Sequence, residues 1–206
     1  MALKLRDINY PIKLEHQLLI VPCLQAFDFN TPSYHLQSSN AFLPKDWMIH
    51  YWLLYGLGNA GNSQAVGFAY TNDHTSSDAK SSKYAQFVRH DILAQKYIPQ
   101  SFLPDGVDHG NAALWNQIKD VILNPYFAPL MSNDVSKLPS AYIITADYDV
   151  LRDDGLMYAR KLSDAGNKVV IRNYAKAFHA IIDHFNTIEV SKQAFDELVA
   201  YFGQHL

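Results

Sequence analysis

The sequence holds a single cysteine, Cys23, so no internal disulfide is available. No close-spaced Cys/His set suits a structural zinc ion, and neither a metal nor a cofactor is expected from its motifs. Long apolar runs are also missing. The longest near the start is Leu18–Val21, far short of the ~20 residues that span a bilayer, and no signal-peptide profile surrounds it. The chain reads as soluble, with no membrane span. An excess of positive charge is absent too. Lys and Arg number 17 against 20 Asp and Glu, a net −3, and the basic residues are scattered, which argues against nucleic acid as a partner. No Asn-x-Ser/Thr acceptor occurs, because Asn30-Thr31-Pro32 fails the spacing. What is present is ample apolar material, 49% of 206 residues with 13% aromatic, enough for one packed domain or a large piece of one.

The segment Leu14–Val21, closed by Pro22, reads as a strand buried on both faces, giving a core strand over 14–22. Residues 28–138 form a helical and loop insert. Within it, Pro44 opens a helical pattern with Trp47, Met48, Tyr51, Trp52 and Tyr55 on one aromatic face and Gly56 as its stop. A second pattern has Ser81 or Ser82 as cap, then Tyr84, Phe87, Val88 and Ile92. Between them, Gly56–Ser82 is rich in Gly, Asn, Ser and Thr and reads as an exposed loop. The style changes over 139–206. Ala141–Ala146 is a buried strand, Asp153–Ala165 a helix stopped by Gly166, Lys168–Tyr174 a strand, and 189–202 a helix. Strand, helix, strand, helix at these lengths is a right-handed parallel crossover unit.

In open α/β sheets, reactive groups collect beyond the carboxyl ends of strands. Two polar clusters fall there: Asp147-Tyr148-Asp149 after the first strand of the unit, and Ala175–His179 after the second. One helix out and one strand back separate Asp149 from His179, so the two meet on one rim. A carboxylate beside an imidazole fixes the tautomer that leaves the other ring nitrogen free to take a proton from a nucleophile. The plainer reading of the same residues is that Asp149 caps the next helix, with Asp153 and Asp154 in its positive first turn, and that His179 is one of nine histidines.

Leu138–Ala159, containing Tyr148-Asp-Val-Leu-Arg-Asp-Asp-Gly, resembles the arylacetamide deacetylase group of the hormone-sensitive-lipase-like α/β-hydrolases. So do Ala177-Phe-His-Ala, Gln17–Gln25, Pro32-Ser-Tyr and Asn124–Leu130, so the resemblance spans the chain. It implies a partial α/β-hydrolase fold, with parallel strands, crossover helices and a helical insert that contributes to a cap. It further implies that Asp149 is the triad acid and His179 the base, and that the substrate is an apolar ester or amide. Trp47, Tyr51, Trp52 and Phe87 become candidates for the substrate pocket, against the simpler role of helix packing. His184 is a weaker rival base, read as a surface residue. Cys23 reads as an inert apolar residue. Relatives usually carry Gly where Ala177 and Ala180 flank the Phe-His pair, so a loop needing positive φ there would displace His179.

The G-x-S-x-G elbow and the HGGG-type oxyanion loop of such enzymes do not occur in these 206 residues. The Gly56–Ser63 stretch is neither an elbow nor a phosphate loop, lacking Gly-x-Ser-x-Gly and a following Lys-Ser/Thr. The opening Met1–Asp7 resembles the end of the helix that follows the nucleophile, so the chain is expected to be the C-terminal portion of such a domain, inactive alone. A sheet cut there would leave an unpaired edge and poor solubility. The alternative is a catalytically dead binding or interaction module that keeps a hydrolase-fold remnant. Relatives face the endoplasmic reticulum lumen on an N-terminal anchor that this sequence does not contain.

Overall fold

The computed structural model describes residues 1–40, 42–58 and 63–205. Three parallel strands form its sheet, in the order β1 (His16–Ile20), β2 (Ser140–Tyr148), β3 (Val169–Phe178). Eight helices accompany them among the described residues: α1 Ala2–Asp7, α2 Pro32–Leu36, α3 Lys45–Leu57, α4 Ser63–Tyr70, α5 Ser77–Lys80, α6 Ala112–Ile122, α7 Arg152–Asp164 and α8 Glu189–His205.

The apolar run Ala141–Ala146 makes β2 the central strand, and its side chains are buried on both faces. Ile143 and Ala141 join the core under α7, while Tyr142, Ile144 and Ala146 join a second core under α8. Strand, helix and strand in sequence give the parallel crossover that the periodicity predicts. β1 differs from expectation: paired on one side only among the described residues, it is half-buried along its whole length instead of covered on both faces. α7 can lie close to β2 because Gly155 has no side chain; a Cβ there would sit 2.4 Å from Thr145 Cγ2.

Five expectations within the insert are corrected. α3 runs past Gly56 to a left-handed cap at Gly58, since Gly56 is needed where Phe127 presses on the helix. Its inward face is Met48, Ile49, Trp52 and Leu53, whereas Trp47, Tyr51 and Tyr55 are exposed; aromatics surround the helix, so spacing alone does not choose a face. The second helical pattern is broken into 3₁₀ turns at Ala85–Phe87 and His90–Ile92, because Arg89 between them is extended. Neither Ser81 nor Ser82 opens a helix, and Ser76 caps α5 instead.

The stretch Gly56–Ser82 is not one exposed loop: it contains all of α4 and α5, and Asn72, His74, Thr75 and Ser76 are buried. Its residues 59–62 lie outside the described residues. The polar side chains there serve irregular backbone, not water. His74 Nε2 donates to the Ala26 carbonyl, Thr75 Oγ1 to that of Phe27, and Asn72 Oδ1 accepts from the Phe29 amide. Helix α6, which the sequence reading missed, is capped by Asn111 and buries Trp115, Ile118 and Ile122.

Candidate active site

β2 and β3 run in regular register from Ala141 opposite Val169 to Ala146 opposite Tyr174, and then the pairing shifts so that Tyr148 opposes Phe178. Between those points β3 takes extra residues, exposing Ala175 and Lys176 and burying Ala177. Without the irregularity Asp149 would follow on beside Ala177. With it, the residues emerging side by side are Asp149 and His179.

They make contact. His179 Nδ1 lies 3.0 Å from Asp149 Oδ2, and Nδ1–H donates to the carboxylate. The other oxygen, Oδ1, accepts from the Leu151 amide at 2.9 Å just before α7. One carboxylate oxygen thus faces the imidazole and the other the Leu151 amide; Leu151, not Asp149, stands at the N-cap of α7, which corrects the capping reading. The Asp149 side chain is wholly buried, while that of His179 is 30% exposed. Among the described residues nothing hydrogen-bonds its Nε2. An imidazole held by one nitrogen and open at the other can accept a proton from a group placed beside it.

Ala180 follows in the left-handed region, φ 63° and ψ 27°. The strain expected of alanine at this point is present, yet His179 keeps its partner.

The acid loop is braced from below. Asp153 is buried against Arg152, whose Nε lies 2.9 Å from Oδ1, and accepts the Ser33 amide at 2.7 Å. Ser33 Oγ donates to the Val150 carbonyl at 2.6 Å, and Arg152 reaches the Tyr97 carbonyl. Burial raises the Asp153 carboxyl above the usual carboxylate range. Asp154 accepts from the Leu24 and Gln25 amides and from Gln25 Nε2. Burial outweighs those three donors and pushes its carboxyl up to about 7. On top, Asn40 Nδ2 donates to the Tyr148 carbonyl at 2.8 Å, and Phe42 stacks on Phe178 with ring centres 4.0 Å apart. His184 is half-buried, its ring packed on Phe178 and Phe42 instead of standing free.

The four candidate pocket residues do not converge on this rim, and they do not share one pocket. Trp47 and Tyr51 line a shallow hollow with Asp46, His50 and Val66. Trp52 is buried edge-on against Phe127, and Phe87 lies beneath Lys161 Nζ in another cavity. Cys23 is exposed, not buried among apolar groups. Desolvation and the nearby Asp154 and Asp149 carboxylates raise its thiol, which keeps it protonated and poorly nucleophilic.

Sequence reading missed a second polar cluster. His109 lies between Asp73, 2.6 Å from Nδ1, and Asp105, 2.9 Å from Nε2, with Lys80 Nζ alongside. The Asp73 hydrogen bond chiefly raises the imidazole above its ordinary value. Lys80 and Asp105 also border a cavity of about 240 Å³ with Phe27, Asn72 and Phe102. The cluster joins residues from Asp73 to His109 without a motif; its one local signal is the i,i+4 spacing of Asp105 and His109. Among the described residues no set of three or more His, Cys, Asp or Glu side chains is arranged to hold a metal ion, and no helix is long and apolar enough to cross a membrane.

Comparison with known proteins places this geometry. A profile of the α/β-hydrolase fold matches residues 77–183. Neutral cholesterol ester hydrolase 1 of Bos taurus is 37% identical over 177 residues, which take in 84% of this chain and 42% of that protein. Arylacetamide deacetylase of Bos taurus is 31% identical over 204 residues, 98% of this chain and 49% of that protein. The chain thus spans less than half the length of either relative. Among solved structures, a fungal esterase from Rhizomucor miehei superimposes with a TM-score of 0.61 at 22% identity, over 98% of this chain and 44% of that one. A hyperthermophilic esterase from Pyrobaculum calidifontis gives 0.56 at 20%, over 97% and 46%; at such identities the likeness is one of fold. With parallel strands, crossover helices and an Asp–His pair at the strand ends, the chain belongs to the α/β-hydrolase family, in the group that includes arylacetamide deacetylase and neutral cholesterol ester hydrolase.

Proposed function

We propose that this chain supplies the acid and the base of a serine carboxylic-ester or amide hydrolase, with Asp149 as acid and His179 as base. The observation that carries the reading is the 3.0 Å hydrogen bond between His179 Nδ1 and Asp149 Oδ2, at the carboxyl ends of adjacent parallel strands. In the proposed reaction a serine hydroxyl gives its proton to Nε2 as its oxygen attacks the substrate carbonyl. Asp149 holds the ring and stabilises the imidazolium, and the same proton then passes to the leaving alcohol or amine. Two relatives are named for a cholesterol ester hydrolase and an arylacetamide deacetylase, which supports an apolar ester or amide as the substrate class here. The serine belongs to a G-x-S-x-G elbow that these 206 residues do not contain. Alone, the chain is proposed to be inactive.

The test is reconstitution. The chain is co-expressed with the elbow-bearing N-terminal half of a related deacetylase, and p-nitrophenyl butyrate hydrolysis is measured. Turnover is expected only with both halves, and His179→Ala should lower it by a factor of 10³ or more. Turnover by the chain alone, or reconstituted activity indifferent to His179, contradicts the proposal. The second reading is a catalytically dead binding module; acyl-ligand binding with no turnover on reconstitution would select it.

A further inference from the structure

We propose that Asn40 and Phe42 are positioning residues for the Asp149–His179 pair, clamping together the two strand ends from which acid and base emerge. This rests on the acid–base reading above and adds residues that its motifs do not contain.

The argument begins at the register shift. Tyr148 opposes Phe178 as a single resumed pair beyond an irregularity, cut off from the regular register that ends at Ala146 and Tyr174. The residues after this last pair are Asp149 and His179, so a small slide of β3 on β2 would part them. Something outside the sheet has to hold that pair in register. The loop between α2 and α3 reaches both members of it. Asn40 Nδ2 donates to the Tyr148 carbonyl, one residue before the acid. Phe42 stacks on Phe178, one residue before the base, with an interplanar angle of 17°. The two contacts are mechanically joined, because Asn40 Oδ1 accepts from the Phe42 amide at 2.9 Å. A single turn thus grips one strand by hydrogen bond and the other by ring stacking.

The turn is itself anchored. The Ser38 carbonyl accepts from the Lys45 amide at the start of α3, and α2 is tied to the acid helix through Ser33 and Asp153. Phe42 is 53% exposed, so deep burial does not account for its placement; its close ring contacts are with Phe178 and His184. A large aromatic left half in water while stacked on the neighbour of the base fits a clamp better than a core residue.

The experiment follows the His179 Nδ1–H proton by NMR in the full chain. A proton shared with a carboxylate is held to low field and exchanges slowly with water. In the unmodified chain this resonance is expected, and it should vanish in Asp149→Asn. In Asn40→Ala and in Phe42→Leu its exchange should speed up about tenfold, the worth of one net hydrogen bond, while the Ile143 amide at the centre of β2 exchanges as before. Phe42→Tyr, which keeps the ring, should restore slow exchange to within about twofold. If the resonance is present but unmoved in Asn40→Ala and Phe42→Leu, the clamp is overturned and the acid–base pair stands. If it is absent from the unmodified chain, or survives in Asp149→Asn, the pair fails and the clamp with it.

Discussion

Tyr148 pairs with Phe178, and the residues that follow them, Asp149 and His179, are hydrogen-bonded to each other. Their meeting is therefore a property of register. β3 spends extra residues at Ala175–Ala177 so that His179 is level with Asp149, and everything that holds the two strand ends, from α7 beneath to the Asn40 turn above, bears on the pair.

Ala180 pays the conformational cost of this arrangement. A non-glycine residue at φ 63° is strained by about 1–2 kcal/mol. Ala180→Gly should stabilise the chain by about 0.5–1 kcal/mol after the added freedom of the unfolded glycine is subtracted. Urea unfolding checks this, with a raised midpoint at unchanged slope. A lowered midpoint would show that the observed left-handed backbone is wrong.

The contact of Gly155 with Thr145 sets how near α7 lies to β2. Gly155→Ala places a methyl 2.4 Å from Thr145 Cγ2, and overpacking of this kind costs about 1–3 kcal/mol in spite of the better helix propensity of alanine. Thr145→Ser removes Cγ2 and retains the hydroxyl that donates to Asn173. The double variant should regain at least half of the loss, measured as a coupling in a double-mutant cycle; strict additivity would mean the two residues do not touch.

Asp154 predicts a pH dependence with a definite sign. Its carboxyl is raised to about 7 from 3.8, chiefly by burial, so between about pH 4 and pH 7 the native chain keeps a proton that the unfolded chain has released. Stability from this group is full below that window, falls across it by up to about 1.4 kcal/mol per pH unit, and is flat above. Asp154→Asn carries no such charge. The stability of the unmodified chain relative to Asp154→Asn should therefore decline from pH 4.5 to pH 7; a relative rise would mean that the Leu24, Gln25 and side-chain donors hold Asp154 ionised.

The legible parts of this molecule were those where one chemical demand dominates a segment. Ala141–Ala146 reads as a buried strand because only full burial on both faces suits it, and Arg152–Asp164, followed by the left-handed Gly166, has the periodicity and stop of a helix. The Asp149–His179 pair was legible because the crossover unit has a nearly fixed length. What escaped reading depends on partners distant in sequence. Asn72, His74 and Thr75 look like loop residues until the irregular backbone of Ala26–Phe29 is seen to need their hydrogen bonds. β1 has a buried strand's composition, yet its place at the sheet edge leaves it half-covered. Asn40 and Phe42 carry no local signal, since their contacts lie across 108 residues and more.

The most direct test of the central claim, that acid and base act as one unit, is a double-mutant cycle on the reconstituted hydrolase. Asp149→Asn, His179→Ala and the double variant are compared by kcat/KM on p-nitrophenyl butyrate. The account predicts that the double variant is no slower than His179→Ala within a factor of about three, because the carboxylate works only through the ring. Losses that multiply independently would contradict it.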